Sequence, residues 1–427
     1  MKKLGIILLA LMMVMSISAC SQKKNESEEI NLKGQKVTIW HTYTKGQQES
    51  LDAAVKRFNE KNEYGITVVA EQQDRDGFNS KLMQSVKNHV GPDIIIDYAT
   101  TAADYAKDGL VVDFNKYIDD ATYGIKGFKE TVYQGTLDEI TKFADGGMYA
   151  FPLIQSGPIF FYNKDVYTEL GLKVPTTWDE VEANAKAIHD HYKGAKYGFA
   201  FESLPDAAQT LIAQSNKGVI IDVDKKATAF NNEETVKHFE WYGNNVKNGN
   251  FMLAPTGKYF SDDFNSGLLA SYVGSAAGAP YIQYKNFGTA KLPQMKDGTA
   301  WAPAWNRSGI VFTSNASRQM ASFLFLKFFA TPEENAKFTI ASNYASPLKG
   351  TIENAEYKAY FEKNEPVQNL SVEIASAYAP LAGTMTLRSG LEGALRAVAT
   401  GEKDAKQAVE DVTKEADAAI SAAYSKN

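Results

Sequence analysis

A chain of 427 residues with 45 basic and 51 acidic side chains carries a formal net charge of −6, which argues against nucleic acid held on a basic stripe. Apolar residues make up 44% and aromatic residues 12%, so the chain can bury large cores and is not a polar, disordered one. A single cysteine excludes an internal disulfide.

The amino end reads as a targeting segment. Met1, Lys2 and Lys3 supply positive charge, Leu4 to Met15 an apolar core too short to span a bilayer, and Ile17-Ser18-Ala19-Cys20 closes it. That closing run resembles a bacterial lipobox, which implies a signal peptide over 1–19 and a lipid on Cys20. Ser21 to Asn31 is polar with almost nothing to bury, so 20–35 is expected to be a flexible, lipid-anchored tether. No later apolar run is long enough to cross a membrane, leaving Cys20 as the expected membrane link.

Strand and helix signals then alternate. Lys36 to Tyr43 is rich in β-branched and aromatic residues, Gln47 to Asn62 repeats Leu51, Ala54, Val55 and Phe58 at helical spacing, and Ile66 to Glu71 is a second strand. Gly77 to Lys87 is a helix and Pro92 to Asp97 a third strand. The alternation predicts an α/β lobe with a largely parallel sheet. Ligands of such sheets lie beyond the carboxyl ends of the strands, here Trp40 to Tyr43, Gln72 to Phe78 and Asp97 to Thr101.

Tyr149 to Asp165 is the pivot of the chain. Two apolar runs, Phe151 to Ile154 and Ile159 to Tyr162, flank the polar turn Gln155-Ser156-Gly157-Pro158. Either they are neighbours in one sheet, or the chain crosses here from one lobe to another.

Beyond it, Thr177 and Glu180 have capping-box spacing at the start of a helix running to about His191. Tyr197 to Phe201 is a strand and Glu233 to Lys247 an amphipathic helix. Leu268 to Val273 is a strand ending in the small residues Gly274 to Gly278, where backbone amides could meet an anion. Ser308 to Ser314 returns to strand. Met320 to Ala330, Pro332 to Thr339, Tyr357 to Asn364, Val372 to Ala377, Arg388 to Ala399 and Lys406 to Tyr424 all read as helical, with a loop over Ser342 to Pro347.

These features together resemble the extracellular solute-binding proteins of family 1, the receptors of ABC importers. The likeness rests on the lipobox, Val37 to His41, the helix ending Arg57 to Asn62, Tyr162 to Asp165, Pro175 to Glu180, and Gly401 before a final helix. It implies an α/β, two-lobe periplasmic-binding-protein-like fold of the maltose-binding-protein type. The lobes would comprise 36–153 with 306–352 and 154–305 with 353–427, hinged where the chain crosses between them. Partners would be a small-molecule solute and the permease subunits of the importer.

Within the family, Tyr360 to Asn364 and a late arginine resemble the branch binding glycerol-3-phosphate and glycerophosphodiesters. That similarity implies ligand roles for Ser156, Ser275, Tyr344 and Arg388. Phe78 stands where the branch has a tyrosine, Ala99 where it has a glutamate that Asp97 would replace, and Asn306 where it has a glycine. Arg388 can present a guanidinium fork to phosphate, with hydroxyls completing the shell. A sugar would instead stack on Trp40, Trp301, Trp305, Tyr43 or Tyr98 and hydrogen-bond to Asp97. An enzyme is the competing class, but the chain has no G-x-S-x-G, H-E-x-x-H or G-x-x-x-x-G-K motif. No catalysis, cofactor or metal is expected.

Overall fold

Residues 30–74, 77–255 and 259–425 are described by a computed structural model. The signal segment, Cys20 and most of the tether lie outside them. Leu32–Asn427 forms one compact unit.

Ten of the fourteen strands among the described residues organise it: β1 (Lys36–His41), β2 (Thr67–Gln72), β3 (Ile94–Asp97), β4 (Phe151–Ser156), β5 (Pro158–Asn163), β6 (Ser271–Ser275), β7 (Phe287–Ala290), β8 (Ala302–Pro303), β9 (Trp305–Val311) and β10 (Ala375–Ser376). The first sheet has the order β2-β1-β3-β9-β4 and the second β6-β5-β7, while β8 pairs with β10. Val37, Ile39, Ile94 and Ile95 are fully buried in the first sheet, because strands covered by helices on both faces need apolar residues at nearly every position.

Helix Lys45–Lys61 packs Phe58 edge-on against Phe325 of helix Ala316–Phe329, 5.3 Å between ring centroids. In the second sheet Phe161 stacks on Tyr272 at 4.8 Å and Phe160 on Phe199 at 6.0 Å. Around that sheet lie helices Trp178–His191, Leu204–Ser215, Glu233–Lys247, Leu387–Thr400 and Ala405–Tyr424. The expected capping box is formed: Thr177 accepts from the Glu180 amide, and Glu180 accepts from the Thr177 amide.

At the pivot the two apolar runs are not neighbours in one sheet. Only Gly157 separates β4 from β5, yet the two strands belong to different sheets. A second passage runs beside it: β8 pairs with β10, and one residue later β9 enters the first sheet with Trp305 opposite Ser156. A side chain at Gly157 would press within 3.2 Å of the Pro303 carbonyl, so the two passages lie back to back. A third segment is tied in by paired backbone hydrogen bonds between Gln155 and Ala345 at 2.9 and 2.8 Å.

Two expectations need correction. The first sheet is parallel only across β2, β1 and β3, since β9 returns from the far half of the chain and runs antiparallel to both neighbours. Val372 to Ala377 is not helical: Ala375 and Ser376 pair with Ala302 and Pro303, and Gly135 packs on the Ala375 carbonyl with no room for a side chain.

Candidate functional site

The ends of strands from both sheets converge on one cleft. Asp97 closes β3, Ser156 closes β4 and Ser275 closes β6, and the two serine hydroxyls lie 3.3 Å apart. Helices Leu204–Ser215 and Leu387–Thr400 bring their first turns to the same place. The hollow has two adjoining parts that share Tyr98, Arg307 and Arg388. One, about 480 Å³, is lined among others by Ser156, Asp206, Ser275, Trp305, Tyr344 and Arg396. The other, about 450 Å³, takes in Phe78, Asp97, Thr101 and Tyr378. Each is of a size that suits a small ligand.

Charge in the cleft is arranged as pairs. Arg307 meets Asp97 at 3.0 Å and lies 3.8 Å from the centre of the Tyr98 ring, a cation–π contact. Arg396 meets Glu392 at 3.1 Å and donates to the Ala254 carbonyl at 2.9 Å. Arg388 grips Asp206 with both terminal nitrogens, at 2.5 and 2.6 Å, and reaches Ser203 Oγ at 3.3 Å. Asp206 is 4% exposed and also accepts from Ser203 Oγ and from Trp305 Nε1 at 3.1 Å. Glu202, on the same wall, accepts from the Phe260 amide at 3.2 Å, and burial raises its carboxyl above the ordinary range.

Beneath this wall Asn306 is fully buried and donates to Thr136 Oγ1 at 3.1 Å and to the Glu139 carboxylate. Burial pushes the Glu139 carboxyl up to about 7, against the pull of Asn306, the Ala99 amide and Arg307.

The residues singled out from the sequence therefore divide. Ser156, Ser275, Tyr344, Arg388 and Trp305 line one part of the cleft, and Phe78, Asp97 and again Arg388 the other. Asn306 and Trp40 lie outside both linings. Asn306 points into the layer beneath, and Trp40, 8% exposed, donates to Glu71 at 2.9 Å under the Lys81 ammonium. Of the amides over Gly274 to Gly278 that could meet an anion, two are already engaged, Ala276 N–H with the Gly157 carbonyl and Ala277 N–H with Ser275 Oγ. Pattern reading does not find Asp206, Arg307, Arg396 or Glu202. A weak local signal exists for Asp206, which lies three residues after Ser203 at a helix start containing Pro205.

Among the described residues no group of three or more His, Cys, Asp or Glu side chains could hold a metal ion, and no helix is long and apolar enough to cross a membrane.

Comparison with known proteins adds the following. Residues 53–364, more than half of the chain, match the family model of the bacterial extracellular solute-binding proteins. The sn-glycerol-3-phosphate-binding periplasmic protein UgpB of Brucella abortus is 26% identical over 414 residues, covering 90% of this chain and 93% of that one. The galactooligosaccharide-binding protein of Bacillus subtilis is 22% identical and covers 99% of each chain. Among solved structures, the cyclic alpha-maltosyl-1,6-maltose binding protein of Arthrobacter globiformis superposes with a TM-score of 0.77 at 22% identity, over 90% of this chain and 98% of that one. UgpB of Mycobacterium tuberculosis in complex with glycerophosphocholine does so with a TM-score of 0.74 at 18% identity, over 91% and 98%. The fold is thus the α/β fold of the maltose-binding-protein type, as expected, and the chain belongs to the family of bacterial extracellular solute-binding proteins.

Proposed function

We propose that the protein is the substrate-binding component of an ABC importer, capturing a small polar solute and handing it unaltered to a membrane permease. The observation that carries this reading is the convergence of Ser156, Ser275, Tyr344, Trp305 and Arg388 on one cleft at the crossings between the two sheets. On this reading the sheets are the cores of two lobes, 36–153 with 306–352 and 154–305 with 353–427, except that the ends of β4 and β9 at Ile154 to Ser156 and Trp305 stay with the first sheet, and the crossings are the hinge on which the lobes close. The signal segment would direct export, and lipid on Cys20 would hold the body at the outer face of the membrane.

Two solute classes suit the cleft. Hydroxyl donors beside an arginine fit the phosphate of glycerol-3-phosphate or a glycerophosphodiester, the ligands for which two of the relatives are named. The Trp305 indole, Tyr98, the exposed Tyr259 ring and several carboxylates fit a sugar or oligosaccharide, the class of ligand for which the other two relatives are named. Melting the purified protein against sn-glycerol-3-phosphate, glycerophosphocholine and an oligosaccharide panel is the direct test, since a solute at 100 times its Kd stabilises by about 2.7 kcal/mol. A rise in Tm with one class and unchanged solute by chromatography is the expected result. Turnover of any solute, or no shift with any, would remove the receptor reading.

A further inference from the structure

The charge pattern of the cleft carries the ligand question further, on the basis of the receptor reading above. Each of the three arginines among the described lining residues of the larger part faces a carboxylate: Arg307 with Asp97, Arg388 with Asp206, Arg396 with Glu392. The Arg388 pair is the most closed of these. Its two terminal nitrogens meet the two oxygens of Asp206 in parallel, and Ser203 and Trp305 supply further donors to the same oxygens. Asp206 thus accepts four hydrogen bonds, about the full capacity of a carboxylate. The two-nitrogen end of this guanidinium is occupied by Asp206, which leaves a phosphate only the N–H groups at its side edge, beside a carboxylate.

A phosphomonoester carries a charge of roughly −1.5 to −2 at neutral pH. In this cleft it would meet arginines already neutralised by their carboxylates, together with the further Glu202 carboxyl on the same wall. An uncharged polyol or saccharide meets no such opposition, and its hydroxyls can donate to carboxylates and accept from Ser156, Ser275 and the arginine edges.

We propose that Asp206 sets the charge selectivity of the cleft: by occupying the fork of Arg388 it makes the site prefer an uncharged, polyhydroxylated solute to a phosphomonoester. Asp206 acts here as a positioning residue, through Arg388.

The test is calorimetry on the whole protein and its Asp206→Asn variant, with sn-glycerol-3-phosphate, inorganic phosphate, glycerol and a set of neutral oligosaccharides. The wild type is expected to bind a neutral member and the variant to gain at least tenfold in affinity for sn-glycerol-3-phosphate, with a salt dependence that the neutral ligand lacks. Asp206→Glu, which keeps the charge, should not gain it. If Asp206→Asn proves unfolded by circular dichroism, Asp206→Ser is read in the same way. A folded, charge-removed variant with no gain for the phosphomonoester overturns the inference, as does a wild type that already prefers it; in the second case the receptor reading stands. A wild type that takes nothing from the panel counts against the receptor reading, and the variant's response to phosphate still decides the role of Asp206.

Discussion

Glu139 is 2% exposed beneath the cleft, with Asn306, Thr136 and the Ala99 amide around it and Arg307 close by. An ionised carboxylate in that layer lacks the water that would solvate it, and its acid form is held up to about 7. In the unfolded chain the group titrates near the ordinary 4.5. The folded protein therefore keeps the proton to higher pH, so the contribution is fully present below about 4.5 and is lost as pH rises through about 7. Its ceiling is on the order of 3 kcal/mol. Glu139→Gln removes the titration, so the stability of the wild type relative to the variant should decline between pH 5 and 8. Parallel Tm curves across that range would refute it. The same scale explains what could be read in advance at the site. Ser156 is visible because a polar turn interrupts two apolar runs. Asp206 is not, because its meaning depends on Arg388, 182 positions away, and a lone acid at a helix start looks like an ordinary first-turn residue.

At the scale of elements, a wet face makes a helix easiest to read. Glu233–Lys247 begins and ends where its periodicity says, with Asn232 capping the Thr235 amide at 2.9 Å. Leu204–Ser215 escapes such a reading because every residue from Leu204 to Gln214 is buried, so no polar face marks a period. The expected helix at Val372 to Ala377 fails for another reason: extended pairing with β8 overrides local propensity. Where the local signal is strong and its partners are local, it should carry measurable energy. In the helix Trp178–His191, Thr177 and Glu180 satisfy each other's amides, and Glu180 also accepts from the Thr176 amide at 2.7 Å. Thr177→Ala should cost about 1 kcal/mol. A lower urea midpoint with an unchanged slope would register it, and Thr177→Ser should retain most of the stability. An Ala variant with a wild-type midpoint would show that the cap contributes nothing to global unfolding.

Across the whole molecule, the crossings near Gly157 and Ala304 form one junction between the two sheets, and a contact at a different place joins the helices around them. Helix Ala99–Ala106 follows directly on β3, and its Asp104 accepts from the Gly383 amide at 2.9 Å. Gly383 stands at φ +89 in the turn before helix Leu387–Thr400, packed on Ala419 and Ile420 of the last helix, where a side chain would collide with backbone. The Gly383 amide that Asp104 meets is thus packed directly on the last helix. On the hinged reading, with the arrangement in which this bond forms taken as the closed one, it spans the two lobes and favours closure, and a hydrogen bond to a charged group contributes roughly 1.5–3 kcal/mol. A ligand held only by the closed form loses affinity in proportion as that form is depopulated. Asp104→Ala should therefore weaken solute binding by about tenfold, the equivalent of 1.4 kcal/mol, while changing the Tm of the solute-free protein little. X-ray scattering should show a larger radius of gyration for the variant without solute and the same radius as wild type at saturation. Equal affinities and equal radii in the two proteins would mean that the Asp104 contact plays no part in closure.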